Sequence, residues 1–255
     1  MPTNYELATK KFIDSCHFKD DIDCIFLAGS HASGNADEFS DIDLFIVLND
    51  SVDWRERGNK RVDGFLIEYF ANPARQIKKY IYNDHAKVKL TSINMILNGI
   101  VVFGDSSVAN ELIEYCRKKM ASGFAKMNHF DINTELYFLW NDYDELSRAY
   151  AYQAPDFTMQ FHLFINNAFE LYSRYTCSPV PNYHNRHRWL ADDQYFAKYG
   201  LPPHNDQNFL VIIKKSFDCD NTTAMYDLSK ALYSYITEHM GGFDIDNFTL
   251  RGPCD

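Results

Sequence analysis

The sequence has no Cys-x-x-Cys pair. Its six cysteines, Cys16, Cys24, Cys116, Cys177, Cys219 and Cys254, are scattered at spacings that suggest no zinc site. They read as reduced thiols of a cytoplasmic protein. No apolar run is long enough to cross a bilayer, and no leader segment is read at the N-terminus, so neither membrane insertion nor export is expected. Internal repeats and low-complexity tracts are also missing, which excludes a repeat architecture. A basic face is lacking too. The formal net charge is −10, and the basic clusters Arg55-Glu56-Arg57 with Lys60-Arg61, and Arg117-Lys118-Lys119, are short. A protein that tracks a nucleic-acid backbone needs a positive surface. The balance argues against a polynucleotide substrate and for a small acceptor. An acidic surface also attracts cationic molecules.

What is present is a substantial core. The chain has 255 residues, 46% of them hydrophobic, with 20 Phe and 17 Tyr. That length allows one large domain or two small ones. Most of the rings belong in cores, although such rings can also line a cleft.

The chain is organised around Phe26 to Val47. Ile25-Phe26-Leu27-Ala28 is a short apolar run bounded by Gly29, the pattern of a buried strand. Gly29-Ser30 opens a small, polar segment that contains Gly34. Asp41-Ile42-Asp43-Leu44-Phe45-Ile46-Val47 is then a strand that begins with two carboxylates. Residues two apart on a strand share a face, so Asp41 and Asp43 project together while Ile42 and Leu44 turn into the core. Two adjacent anions repel and need a cation. Oxygen ligands of this kind suit Mg²⁺ or Mn²⁺ rather than zinc. Gly29 lets the backbone approach a ligand, the start of the following helix favours an anion, and Ser30 adds a hydroxyl donor. A triphosphate cradle and metal-binding carboxylates are thus expected in one strand–turn–strand unit.

Gly29-Ser30, ten residues, then Asp41-Ile42-Asp43 and an apolar strand resembles the signature of the DNA polymerase β-type nucleotidyltransferase superfamily. The small bacterial aminoglycoside and lincosamide nucleotidyltransferases match best in length and layout. The resemblance covers about the first hundred residues well and the remainder loosely. It implies an α/β (α+β) chain: an N-terminal mixed sheet with flanking helices, then a C-terminal helical bundle. It also implies a third carboxylate on the strand beside the Asp-x-Asp strand. Glu68, in Ile67-Glu68-Tyr69-Phe70, matches that position, with Glu where many relatives carry Asp. Relatives also carry a Pro … Lys/Arg-Trp segment late in the chain. Arg186 and Arg188, before Trp189, are the basic residues it suggests for reaching a phosphate.

Taken in order, residues 4–16 read as a helix packed through Leu7 and Phe12. Residues 53–60 read as a polar hairpin or loop, and 61–70 as a β-rich run. Helices follow from Pro73, with Asn72 as cap, to about residue 82, and over 85–97. A strand covers 100–103, and a domain boundary is placed near Ser106-Ser107, giving domains 1–107 and 108–255. Beyond it helices are read over 108–120, 131–152, from Asp156 onward, from His184 to Leu190, over 208–217 and from Asn221 or Thr222. Ile132, Leu136, Leu139, Tyr143, Leu146 and Tyr150 form one apolar stripe at helical spacing. Glu135, Asp142 and Glu145 flank it, either as a solvated edge or with one acid as an acceptor-binding residue or base. His184 and His187 have a spacing that could bind a metal, but with no acidic third ligand they read more readily as plain residues than as ligands.

The expected chemistry is a two-metal phosphoryl-type transfer, with Asp41, Asp43 and Glu68 as ligands and Glu68 as candidate base. The resemblance makes it transfer of a nucleoside monophosphate, AMP from ATP, to a hydroxyl of a small molecule, with pyrophosphate leaving. The cleft between sheet and bundle is the expected place for the acceptor. Completion of the site by a second subunit, as in a homodimer, stays open. The sequence is compatible with two other readings. One is an antitoxin-like enzyme that adenylylates a partner protein. The other is a nucleotide-binding fold without catalysis, against which the intact Gly29-Ser30, Asp41, Asp43 and Glu68 set argues.

Overall fold

The apolar strands either side of the Gly29 turn pair with each other. In a computed structural model, which describes residues 4–181, 186–192, 200 and 202–252, β1 (Ile22–Ala28) runs antiparallel to β2 (Ile42–Leu48). The register sets Leu27 opposite Leu44 and Ala28 opposite Asp43. β3 (Glu56–Val62), β4 (Phe65–Pro73) and β5 (Ile100–Gly104) complete a five-stranded sheet of order β3-β4-β2-β1-β5. Only β2 and β4 pair in parallel. The sheet is therefore mixed, as expected.

Alternation divides its side chains. Ile25, Leu27, Ile42, Leu44, Ile46, Leu48, Ile67 and Ala71 form one core with Ala8, Phe12 and Ile13 of α1 (Asn4–Asp14). Phe12 is buried as expected, but Leu7 lies outside that core and is 43% exposed, with Ala8 in its place. On the other face α3 (Ala74–Ala86), α4 (Thr91–Leu97) and α5 (Ser106–Ala121) cover the sheet with Ile77, Ile81, Ile93, Ile96, Leu112 and Cys116. Burying a side chain of this size contributes about 1.5–3 kcal/mol.

Of the two readings of residues 53–60, hairpin or loop, the structure has the hairpin: β3 pairs antiparallel with β4 across Asp63-Gly64 and takes its hydrogen bonds from β4 rather than from an apolar pattern of its own. Two local expectations are corrected. The helix expected over 85–97 starts only at Thr91. Val88 sits at φ 56 and ends α3, Lys89 N–H donates to the Asp84 carbonyl, and the Asp84 carboxylate accepts from Ser92 N–H and Oγ. Asn72 belongs to β4 and Pro73 holds the cap position of α3. The Arg75 N–H there is satisfied by Asp50 at 3.1 Å.

The chain divides into two compact units, with the change at Phe124–Ala125 and Gly200 falling in the first. α5 packs on α3, α4 and β1 and so belongs to the first unit, beyond the boundary expected near Ser106-Ser107.

The second unit is helical among the described residues: α6 (His129–Ala151), α7 (Phe157–Tyr175), α8 (Arg186–Ala191), α9 (Gln207–Lys214) and α10 (Thr222–His239). The α6 stripe buries Leu136, Leu139 and Leu146, and Tyr143 stacks on Tyr233 of α10 with ring centres 4.5 Å apart. Asn221 caps α10 through Ala224 N–H, as its sequence position suggests. Asp156 precedes α7 without a capping bond; it accepts from Gln160 instead. Among the described residues no helix is long and apolar enough to cross a membrane.

Candidate active site

Parallel pairing of β2 with β4 assembles the site. It sets Asp43 directly opposite Glu68, with Ile42 opposite Ile67 behind them. Partners in register point to the same face, so Glu68 stands beside Asp43, and Asp41, two residues back, joins from the start of β2. Ligand oxygens of Asp41, Asp43 and Glu68 all lie within 4.8 Å of one another, and all three residues are half-buried. The fully buried Ile42, Leu44 and Ile67 hold the strand ends rigid beneath them.

The electrostatics follow from that crowding. Burial, and then the charges of Asp41 and Glu68, push the Asp43 carboxyl up to about 6. A cation placed among the three would offset the repulsion between them and favour the ionised Asp43. The donor set is all carboxylate oxygen, which fits Mg²⁺ or Mn²⁺. The cation already at the edge is Arg57 of β3, whose Nη2 lies 2.5 Å from Glu68 Oε1.

The Gly29 turn is built against the same carboxylates. Gly29 has φ +64, and a Cβ there would lie 1.9 Å from Asp43 Oδ2. Glycine is therefore required twice, by the left-handed backbone and by the approach of Asp43. The helix that follows, α2 (Gly29–Ala32), is a single turn. Asn35 N–H donates to the Ser30 carbonyl at 2.9 Å and closes it. His31 packs between Tyr5 and Phe65, with ring centres 4.6 and 6.4 Å away, and burial holds its pKa below the usual value.

Residues 9–97 match the nucleotidyltransferase domain. The match runs from α1 through α4, so it contains the Gly29 turn, both aspartates and Glu68. β5, α5 and the second unit lie beyond the matched nucleotidyltransferase residues. The chain is also similar to the crystal structure of a nucleotidyltransferase-like protein from Exiguobacterium sibiricum. That protein is 9% identical, with a TM-score of 0.48 over 93% of this chain and 77% of that one. No curated protein matches the chain in sequence.

Within the matched residues the structure thus brings together Gly29, Asp41, Asp43 and Glu68, with Ser30 next in the turn. Arg186 and Arg188 belong to the second unit. Arg186 is buried, and its guanidinium donates to Asn166 and Glu170 of α7; Arg188 is exposed. His184 and the side chain of His187 lie outside the described residues. The α6 acids have partners of their own: Glu135 pairs with Arg174, Asp142 accepts from Asn167 at 2.8 Å, and Glu145 lies 3.8 Å from Arg148. In the sequence Arg57 is only part of a short basic cluster. It stands in a strand with no apolar alternation, so nothing local marked it as a neighbour of Glu68.

Proposed function

We propose that this protein transfers a nucleoside monophosphate, AMP from ATP, to a hydroxyl of a small-molecule acceptor and releases pyrophosphate. The observation that carries the reading is the convergence of Asp41, Asp43 and Glu68 beside the Gly29-Ser30 turn, in a chain whose residues 9–97 match a nucleotidyltransferase domain.

In this reading Asp41, Asp43 and Glu68 hold divalent cations. When bound, such ions supply charge to the phosphate oxygens and lower the pKa of the attacking hydroxyl. The turn residues do the rest of the nucleotide binding. Ser30 donates its hydroxyl to a phosphate oxygen, and the absence of a side chain at Gly29 keeps the backbone open. The acceptor oxygen forms a bond to the α-phosphorus as the bond from that phosphorus to the β-bridging oxygen breaks. The hydroxyl proton passes to Glu68 as the nearest base, and pyrophosphate leaves with the electron pair. The net charge of −10 favours a small acceptor, cationic aminoglycosides included, over a polynucleotide.

The test is incubation with labelled nucleoside triphosphates, Mg²⁺ and a panel of aminoglycosides and lincosamides, followed by mass spectrometry. The expected product is an acceptor heavier by one nucleoside monophosphate, made with ATP and lost in Asp41→Asn and Asp43→Asn. Undiminished transfer by both variants would refute the site.

A further inference from the structure

We propose that Arg57 is a positioning residue for the carboxylate triad. It holds Glu68 while no divalent cation is bound and competes with the cation for that carboxylate. The inference rests on the metal-site reading above.

The placement comes from strand pairing. β3 is antiparallel to β4 with Arg57 opposite Phe70 and Asn59 opposite Glu68. Arg57 is therefore diagonal to Glu68 on the same face, within reach of a long side chain. Its guanidinium lies 4.4 Å from the centre of the Phe70 ring while Nη2 donates to Glu68 Oε1 at 2.5 Å. Phe70 thus gives the guanidinium a shelf that fixes its height above the sheet. Among the described residues, Arg57 is the cation ion-paired with a member of the triad.

The pair is asymmetric. The Arg57 side chain is 68% exposed and that of Glu68 is 21% exposed. Arg57 comes from an edge strand and can swing into solvent; Glu68 sits on an interior strand beside Asp43. A carboxylate oxygen engaged by a guanidinium has less capacity left for a metal. An exposed ion pair is also weak enough for a divalent ion among three carboxylates to displace it. Arg57 therefore keeps Glu68 aimed and partly neutralised in the metal-free protein, and yields it on loading.

The experiment is Mn²⁺ titration of the full chain without nucleotide, read by electron paramagnetic resonance. The proteins are native, Arg57→Gln, Glu68→Gln and the double variant, each checked for folding by circular dichroism. Arg57→Gln should tighten Mn²⁺ binding by about threefold to fivefold, the measure of an exposed pair. Arg57→Met, which keeps an apolar stem over Phe70, should do the same, and Arg57→Lys should stay near native. In the Glu68→Gln background the Arg57 substitution should have no effect, since the coupling runs through that carboxylate. Unchanged or weaker binding in both Arg57→Gln and Arg57→Met would overturn the proposal. Equal tightening in the Glu68→Gln background would also overturn it, by showing a general field effect. If the native chain binds no Mn²⁺, the metal-site reading falls together with this one; if it binds and Arg57 is silent, only this inference falls.

Discussion

At Gly29 two physical requirements meet on one atom that is absent. A Cβ would strain the left-handed backbone, which costs about 1–2 kcal/mol, and would also displace the Asp43 carboxylate. Gly29→Ala should therefore weaken both nucleotide and metal binding, whereas Ser30→Ala should cost about 1 kcal/mol of nucleotide affinity and leave metal binding intact. Calorimetry with ATP, and with Mn²⁺ alone, separates the two; unchanged Mn²⁺ affinity in Gly29→Ala would contradict the close approach. Asp43 has a pH signature of its own. An unfolded aspartate ionises near 3.8, whereas folded Asp43 keeps its proton up to about 6. Between those values the folded chain binds more protons, so this group's contribution to stability falls as pH rises through the window. Asp43→Asn should therefore stabilise the metal-free protein at pH 7, by on the order of 2 kcal/mol, and have little effect at pH 3.5. Thermal melts at the two values check the sign. Below about pH 6 protonation of Asp43 competes with the ion, so native Mn²⁺ affinity should drop by about tenfold per pH unit.

At the scale of elements, the surprises come from groups that take their partners from elsewhere in the chain. The apolar periodicity of residues 85–97 fits one helix, yet the left-handed turn at Val88 and the Asp84 carboxylate split it. Asp84 accepts from both Ser92 N–H and Oγ, so it works as a cap supplied from the preceding helix. Asp84→Ala should cost about 1 kcal/mol, the usual worth of a lost cap, measured by urea denaturation. β3 is the opposite case. Its sequence Glu56-Arg57-Gly58-Asn59-Lys60-Arg61-Val62 has no buried stripe, and it becomes a strand because β4 offers a free edge. β1, β2 and β4 were legible because their residues are apolar enough to be strands in any context.

For the whole molecule, the second unit has its own polar keystone. The Asp206 carboxylate caps α9 through Phe209 N–H and accepts from Tyr172 and Tyr235 hydroxyls at 2.7 and 2.8 Å. Burial raises its pKa, but these hydrogen bonds outweigh burial and the pKa ends below the ordinary 3.8. A depressed carboxylate stabilises above its unfolded pKa, so this contribution is present at neutral pH and lost as pH falls below 3.8. Asp206→Ala removes a cap and leaves two tyrosine hydroxyls without their acceptor. It should cost about 2–4 kcal/mol in thermal unfolding. Mn²⁺ binding should survive wherever the variant remains folded, because its ligands lie in the first unit.

The sequence by itself determined the Gly29-Ser30 turn, the Asp41/Asp43 pair on one strand face, the buried runs around them and the helical character of the later chain. Those are consequences of alternation, helical period and backbone sterics over a few residues, which no distant contact needs to supply. Only the tertiary structure decided that β4 lies parallel to β2 in the register that sets Glu68 opposite Asp43. It also decided that Arg57 reaches Glu68 from an edge strand, and that α5 completes the first unit. Strand neighbours are chosen by burial and hydrogen bonding between segments far apart in sequence, and the alternation within one strand carries no information about which strand lies beside it.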